Sequence, residues 1–374
     1  MVRLHPRGLP TRARGRRRII RAARRERRKR RERAAYGTGV TAFILAIVMA
    51  IAFALTNGFH DAANAIATLV ATRAARPLPA VTLAAVCNLL GPLLLGAAVA
   101  NTIEKIVQVP PDQTIAVVGA ALTGAVAWNV FTWIHGIPSS SSHALVGGLV
   151  GAALLDAGVS AVNWGGIEGG RPVGVFGTLI ALAVSPILGF LGAALFTLLV
   201  RRLLRRASVR IEGSIRRSQW FTSGWLAFSH GANDAQKTVG IVAVLLVAHG
   251  TIPTLAAPVW VELACAAALT VGTVMGGWTI VKTIGRRIVR LRTLDGLVSQ
   301  TSSAAVILFS SVIGAPVSTS QIVSSSVVGT GVGRGRSRRV RWRVVGTILL
   351  VWVTTLPAAA VIAAASLPIW RWLS

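Results

Sequence analysis

Three long apolar runs constrain this chain before anything else does: TAFILAIVMAIAFALT (41–56), GVFGTLIALAVSPILGFLGAALFTLLV (174–200) and VGTILLVWVTTLPAAAVIAAA (345–365). A hydrocarbon layer about 30 Å thick is crossed by roughly 20 mostly apolar residues, and backbone placed there must satisfy its own N–H and C=O groups, which favours helices. Composition agrees. Of 374 residues, 53% are hydrophobic and only 14% charged, with mean hydropathy +0.65, whereas soluble domains carry about 25% charged residues. The expected fold is therefore an all-α, polytopic membrane protein. Cys87 and Cys265 lie inside apolar runs and read as small packing residues, supporting neither a disulfide framework nor a metal site.

Apolar runs and their breaks give about ten membrane segments, near 41–72, 78–101, 113–134, 138–158, 173–200, 218–249, 254–281, 295–313, 316–332 and 344–369. The net charge of +29 is distributed unevenly: 16 of the 40 Lys and Arg fall in residues 3–33. Of the others, 20 lie in loops that follow odd-numbered segments, against Lys105, Arg171 and Arg371 on the opposite side. The positive-inside rule then puts the basic loops in the cytoplasm and both ends of the bundle outside, in a plasma (inner) membrane. This distribution speaks against nucleic acid as a partner and for the lipid bilayer. The Arg-rich tail, residues 1–39, contradicts that orientation and is expected to be disordered or a mis-assigned start. The remainder divides into a first repeat (40–200), a basic cytoplasmic loop (201–217) and a second repeat (218–374).

Two motifs occur twice. NGFHDAANAIAT (57–68) and SHGANDAQKTVG (229–240) align Asp61 with Asp234 and Gly58 with Gly231, at an offset of 173 residues. GIPSSSSHALVGG (136–148) and GAPVSTSQIVSSS (314–326) align Ser140 with Ser318 and Ser142 with Ser320, at an offset of 178. With five segments per copy, the second enters the membrane from the opposite side. Inverted five-segment repeats, with broken helices or re-entrant hairpins, are the architecture of secondary transporters. The segments that carry the first motif, each about 32 residues long, are expected to be broken or steeply tilted.

Asp61 stands in apolar surroundings, and an unpaired carboxylate at bilayer depth costs roughly 2.5–3.5 kcal/mol on insertion scales. Asn64 shares its helix face, so the pair suits a hard cation or a proton. The second copy offers Asn233, Asp234 and Lys237, the last able to neutralise Asp234, with Gln236 alongside. The halves are thus chemically unequal, and Asp61 is the first choice for the coupling cation, H+ or Na+. Pro138 and Pro316 predict helices that begin just after them. Helix N-termini plus the hydroxyls of Ser140, Ser141, Ser142, Ser318, Thr319 and Ser320 would surround a releasable oxyanion; capping and packing by the same residues is the plainer alternative. His60, His143 and His230 are secondary candidates for hydrogen bonding or proton relay, since no carboxylate or histidine companion spacing supports a fixed metal site. Glu262 is another intramembrane acid without a repeat partner.

These four motifs, in order and correctly spaced over about 41–370, resemble the inorganic phosphate transporter family, especially its bacterial low-affinity members. The resemblance implies a dimeric inverted-repeat carrier that takes up phosphate with a proton or sodium ion and no cofactor, the phosphate in some members travelling as a neutral metal complex. It places Asp61, Asn64, Asn233 and Asp234 on ion and substrate positions, and the hydroxyls at 140–142 and 318–320 on phosphate-contacting hairpins. Gln321 departs from it, standing where a histidine is common. Sulfate, another tetrahedral oxyanion, is the competing substrate. An intramembrane serine hydrolase using Ser142 with His143 or His230 is the competing class, disfavoured because hydroxyls recur in duplicated runs without a positioned base. A channel is disfavoured by the paired carboxylates.

Overall fold

The computed structural model describes residues 12–374, apart from 97, 104, 169 and 170. In chain order its helices are α1 (Arg12–Ala71), α2 (Pro77–Leu95), α3 (Ala100–Ile103), α4 (Pro111–Ile134), α5 (Ser141–Ala157) and α6 (Gly174–Leu203), then α7 (Glu212–Ala248), α8 (Val259–Met275), α9 (Trp278–Lys282), α10 (Thr293–Val312), α11 (Thr319–Gly333) and α12 (Trp342–Leu373). Pro77 and Pro111 open α2 and α4, positions where a missing N–H has no intrahelical partner to lose. A two-residue antiparallel pairing, Ile167–Glu168 with Arg171–Pro172, decorates the α5–α6 connection. Leu195 and Leu198 on α6 and Val353 and Val361 on α12 are exposed, as lipid-facing surfaces require.

Among the described residues, five helices are long and apolar enough to cross a membrane: Gly39–Ala71 of α1, α2, α4, α6 and α12. The apolar pair Val259–Met275 and Trp278–Arg287, bent by 60° at Gly276–Gly277, forms a broken span or a re-entrant loop. The Arg-rich segment expected to be disordered is helical from Arg12 and continuous with α1, in keeping with the high helix propensity of Arg, Ala, Glu and Lys; residues 1–11 lie outside the described ones.

The expected break in the two motif helices is not found, which leaves the expected tilt, and the serine runs lie in hairpins, one of the two forms expected. Both acidic motifs run through unbroken helix, in α1 and α7; His60, Asn64, Asn233 and Lys237 find partners on neighbouring elements, while Asn57 finds none. The elements carrying serines are hairpin arms rather than separate crossings. The approach to α4 is tied to the exit from α5 by Gln108 N–H donating to Ala161 O at 2.8 Å, so this hairpin returns to its starting face. Arg334, just beyond α11, pairs with Asp295 in the first turn of α10, so that hairpin returns to the opposite face.

Helix pairings recur between the halves. α1 packs on α8 as α7 packs on α2, α4 on α5 as α10 on α11, and α12 on the α5 arm as α6 on the α11 arm. The first of these crossings is made by backbone: a Cβ at Gly58 would meet Leu269 O at 2.1 Å, and one at Gly231 would meet Asn88 O at 2.2 Å. The aligned glycines of the two motifs therefore occupy matching contacts. Two apolar cores result. One gathers Phe53, Leu122, Leu145 and Leu245, the other Ile66, Leu226, Ile284 and Val323. Between them, α1 and α7 carry buried polar residues from Thr56 to Asn64 and from Ser229 to Lys237. The basic loops converge on one face, where Arg73, Arg216, Arg286, Arg290, Arg292 and Arg341 line a cavity of about 740 Å³.

Candidate functional site

The hairpins begin their second arms as the prolines predict. α5 starts at Ser141 and α11 at Thr319, with Ser140 and Ser318 as N-caps accepting the amides of His143 and Gln321 at 3.1 and 3.4 Å. Capping by these two serines follows the plainer reading. A first helical turn also presents N–H groups without intrahelical acceptors, and here both such turns are buried.

The next hydroxyls reach the acids. Ser320 Oγ donates to Asp61 Oδ1 at 2.6 Å, and Thr319 Oγ1 lies 3.2 Å from Asp61 Oδ2 and 3.0 Å from Asp234 Oδ2. A hydroxyl has one hydrogen, so Thr319 satisfies only one of the two carboxylates at a time. Asp61 and Asp234, 1% and 0% exposed, are thus brought together from different halves by the tip of the second hairpin. Asn64 Nδ2 donates to Ser320 Oγ at 3.2 Å while its Oδ1 is buried without a partner. Asn233 behaves similarly, donating to Ser311 Oγ at 3.0 Å with its Oδ1 left over. Each orphaned amide oxygen belongs to a residue close in sequence to one of the two carboxylates, and both are ligand types that hard cations take.

Lys237, fully buried, reaches three acceptors: the Asp234 carboxylate, Ser142 Oγ at 2.7 Å and the Val317 carbonyl at 2.9 Å. Ser142 itself donates to Val317 O at 3.1 Å, joining the two hairpin tips. His60 Nδ1 lies 2.8 Å from Asp61 Oδ1, and its Nε2 lies 3.2 Å from both Thr132 and Ser139. His230 Nδ1 faces Asn88 Oδ1 at 3.0 Å, which assigns the hydrogen to Nδ1. Its Nε2 is then aimed at Asp234 Oδ2, 3.0 Å away, and Asp61 Oδ2, 3.9 Å away. A nitrogen lone pair set against carboxylate oxygen calls for a positive charge between them, a proton or a metal cation.

Ligand atoms of Asp61, His230 and Asp234 in fact lie within 4.8 Å of one another. This grouping corrects the expectation that no companion spacing exists: His230 and Asp234 are four residues apart on α7, and the third member comes from α1. Other candidates stand apart. Gln236 accepts Val99 N–H at 2.9 Å and donates to Gly96 O, holding the backbone between α2 and α3. His143 Nδ1 contacts Ser140 Oγ at 2.7 Å on the flank of the first tip, and Glu262 is in the first turn of α8, half-buried. Ser141 is buried at the start of α5. Sequence reasoning missed Asn57 and Asn129, both fully buried with neither amide atom partnered; Asn57, one turn before Asp61, was legible from spacing alone.

Comparisons with known proteins identify the family. The "Phosphate transporter family" profile matches residues 57–363. The chain is 42% identical over 320 residues to a "Probable low-affinity inorganic phosphate transporter" of Rhizobium meliloti (strain 1021), covering 85% of this chain and 93% of that one. To a protein of the same name from Bacillus subtilis (strain 168) it is 39% identical over 327 residues, covering 86% and 95%. Among solved structures, "The sodium-dependent phosphate transporter" superposes with a TM-score of 0.76 at 26% identity, over 88% of this chain and 98% of that one. Polytopic helices, duplicated motifs and these likenesses converge: the chain belongs to the phosphate transporter family.

Proposed function

We propose that this protein imports inorganic phosphate across the plasma membrane by symport with protons or sodium, working as a homodimer of chains built from two inverted transport repeats, 40–200 and 218–374, joined by the loop 201–217. The observation that carries the reading is the meeting of two capped hairpin tips at two buried carboxylates. The helix ends of α5 and α11, with the hydroxyls of residues 140–142 and 318–320, suit a tetrahedral oxyanion held by dipoles and released again. Charge supplies the coupling. Asp61 and Asp234 face only one fixed cation, Lys237, so a proton on His230 or a bound ion must balance the rest, and an added phosphate raises the demand for cations at bilayer depth. Asp61, Asn64, Asn233 and Asp234 are their ligands in this reading, and the sodium dependence named for the structural relative supports it.

The grouping of Asp61, His230 and Asp234 favours a second form of the cargo, phosphate accompanied by a divalent metal ion. Clustering of arginines on one face supports a cytoplasmic position for the basic loops. The test is uptake of radiolabelled phosphate into proteoliposomes, with proton and sodium gradients imposed separately, magnesium present or absent, and sulfate as competitor. Uptake driven by one gradient, enhanced by magnesium if the complex is carried, is the expected result. Sulfate accumulation without phosphate uptake would replace the substrate.

A further inference from the structure

We propose that Lys237 is a tethered cation, filling in the second half the binding site that a transported monovalent cation occupies in the first. The inference rests on the reading of Asp61 and Asn64 as coupling-cation ligands and extends it to the partner site. The duplication supplies the mapping: Asp61 corresponds to Asp234 and Asn64 to Lys237, Ser142 to Ser320 and Ser139 to Val317.

In the second half the ammonium of Lys237 takes a carboxylate oxygen of Asp234, the hydroxyl of Ser142 and the backbone carbonyl of Val317. These three oxygens, supplied by α7 and both hairpin tips, match the three hydrogens of an ammonium. They are also the ligand types that hold a sodium ion where helices are interrupted. Transferred to the first half, the same set becomes the Asp61 carboxylate, the Ser320 hydroxyl and the Ser139 carbonyl. There Ser320 already contacts Asp61 at 2.6 Å, and the lysine is replaced by Asn64, whose Oδ1 is buried without a partner. One half thus holds its positive charge covalently; the other presents oxygens with no lysine among them, His60 and His230 being the titratable groups that face Asp61.

A tethered charge stays behind when the cargo leaves. The carrier therefore moves one cation fewer per phosphate than one with both sites open, and in this conformation Lys237 also joins the two tips. Replacing Lys237 by asparagine makes the halves alike and opens the second site.

The test compares the native protein with Lys237→Asn by counting bound ²²Na+ in detergent and by measuring the sodium dependence of phosphate uptake in proteoliposomes, with choline as the inert replacement. The variant is expected to bind one more sodium ion per chain than the native protein. Its uptake is expected to fall about tenfold or more in choline relative to sodium, beyond any native dependence, because an unpaired buried Asp234 is strongly unfavourable. Equal sodium counts and equal dependence would overturn the inference. Should Lys237→Asn fail to assemble in choline, recovery of a monodisperse protein in sodium supports it. If assembly fails in both, Lys237→Ala supplemented with methylammonium decides: restored assembly and uptake support a tethered cation, and no restoration refutes it. The broader reading fails differently, by absent phosphate uptake in the native protein under every gradient, and the ion count still settles the role of Lys237.

Discussion

Asp61 accepts a hydrogen bond from Ser320, shares the Thr319 hydroxyl with Asp234 and faces both His60 and His230, so its charge organises more of the site than any other side chain. Asp61→Asn keeps the volume and removes the charge. Coupled uptake is expected to drop ~100-fold or more, since hydrogen bonds to charged groups contribute about 1.5–3 kcal/mol each, while membrane insertion is retained. Near-normal uptake by a correctly inserted variant would remove Asp61 from the coupling site. Thr319→Ala deletes the hydroxyl between the two acids and is expected to raise the half-saturating phosphate concentration about tenfold, with Thr319→Ser largely restoring it. At this scale the sequence was informative where residue types were costly. Buried acids, a buried lysine and duplicated hydroxyls announce themselves. Gln236 belonged to the same motif by type, yet its amide turns away to the α2–α3 backbone. Its direction depends on which helix packs alongside, which no local pattern encodes.

Each motif helix owes its position to one glycine contact with a neighbouring backbone. Gly231→Leu is expected to destabilise the protein by about 3 kcal/mol or more, since its Cβ would sit 2.2 Å from Asn88 O and overpacking of buried contacts is costly. The loss is read as a lowered thermal unfolding midpoint in detergent. Gly346→Ala provides the contrast: an added Cβ there meets nothing within 4 Å, and alanine in a helix interior is favoured over glycine by about 0.5–1 kcal/mol. An equal effect of the two substitutions would show that backbone approach does not set the α2–α7 crossing. The start of each second hairpin arm was readable to within a few residues from Pro138 and Pro316. The continuity of α1 and α7 was not, because polar residues read as a break in hydropathy whether or not the helical ladder is interrupted.

Across the whole molecule, the arginines at 73, 216, 286, 290, 292 and 341 arrive on one face from several connections, while Arg371 pairs with Asp156 near the chain terminus at the other end of α12. In a background with Cys87 and Cys265 replaced, a single cysteine at Arg338 is expected to resist a membrane-impermeant maleimide in intact cells, and one at Gly166 to react. The reverse pattern would invert the proposed topology. A re-entrant hairpin and a pair of crossings both return the chain to its starting side, so charge asymmetry is the same for either, and apolar runs cannot tell them apart. The sequence by itself determined membrane residence, duplication, helical class and the residue types of the site, because burying polar or charged groups in hydrocarbon is too costly to be incidental. Only the tertiary structure decided between broken helices and re-entrant hairpins for the serine-bearing elements, and showed that Thr319 lies between Asp61 and Asp234 and that Lys237 joins both tips. Those facts depend on contacts between residues up to 258 positions apart, fixed by how helices from the two halves pack against each other.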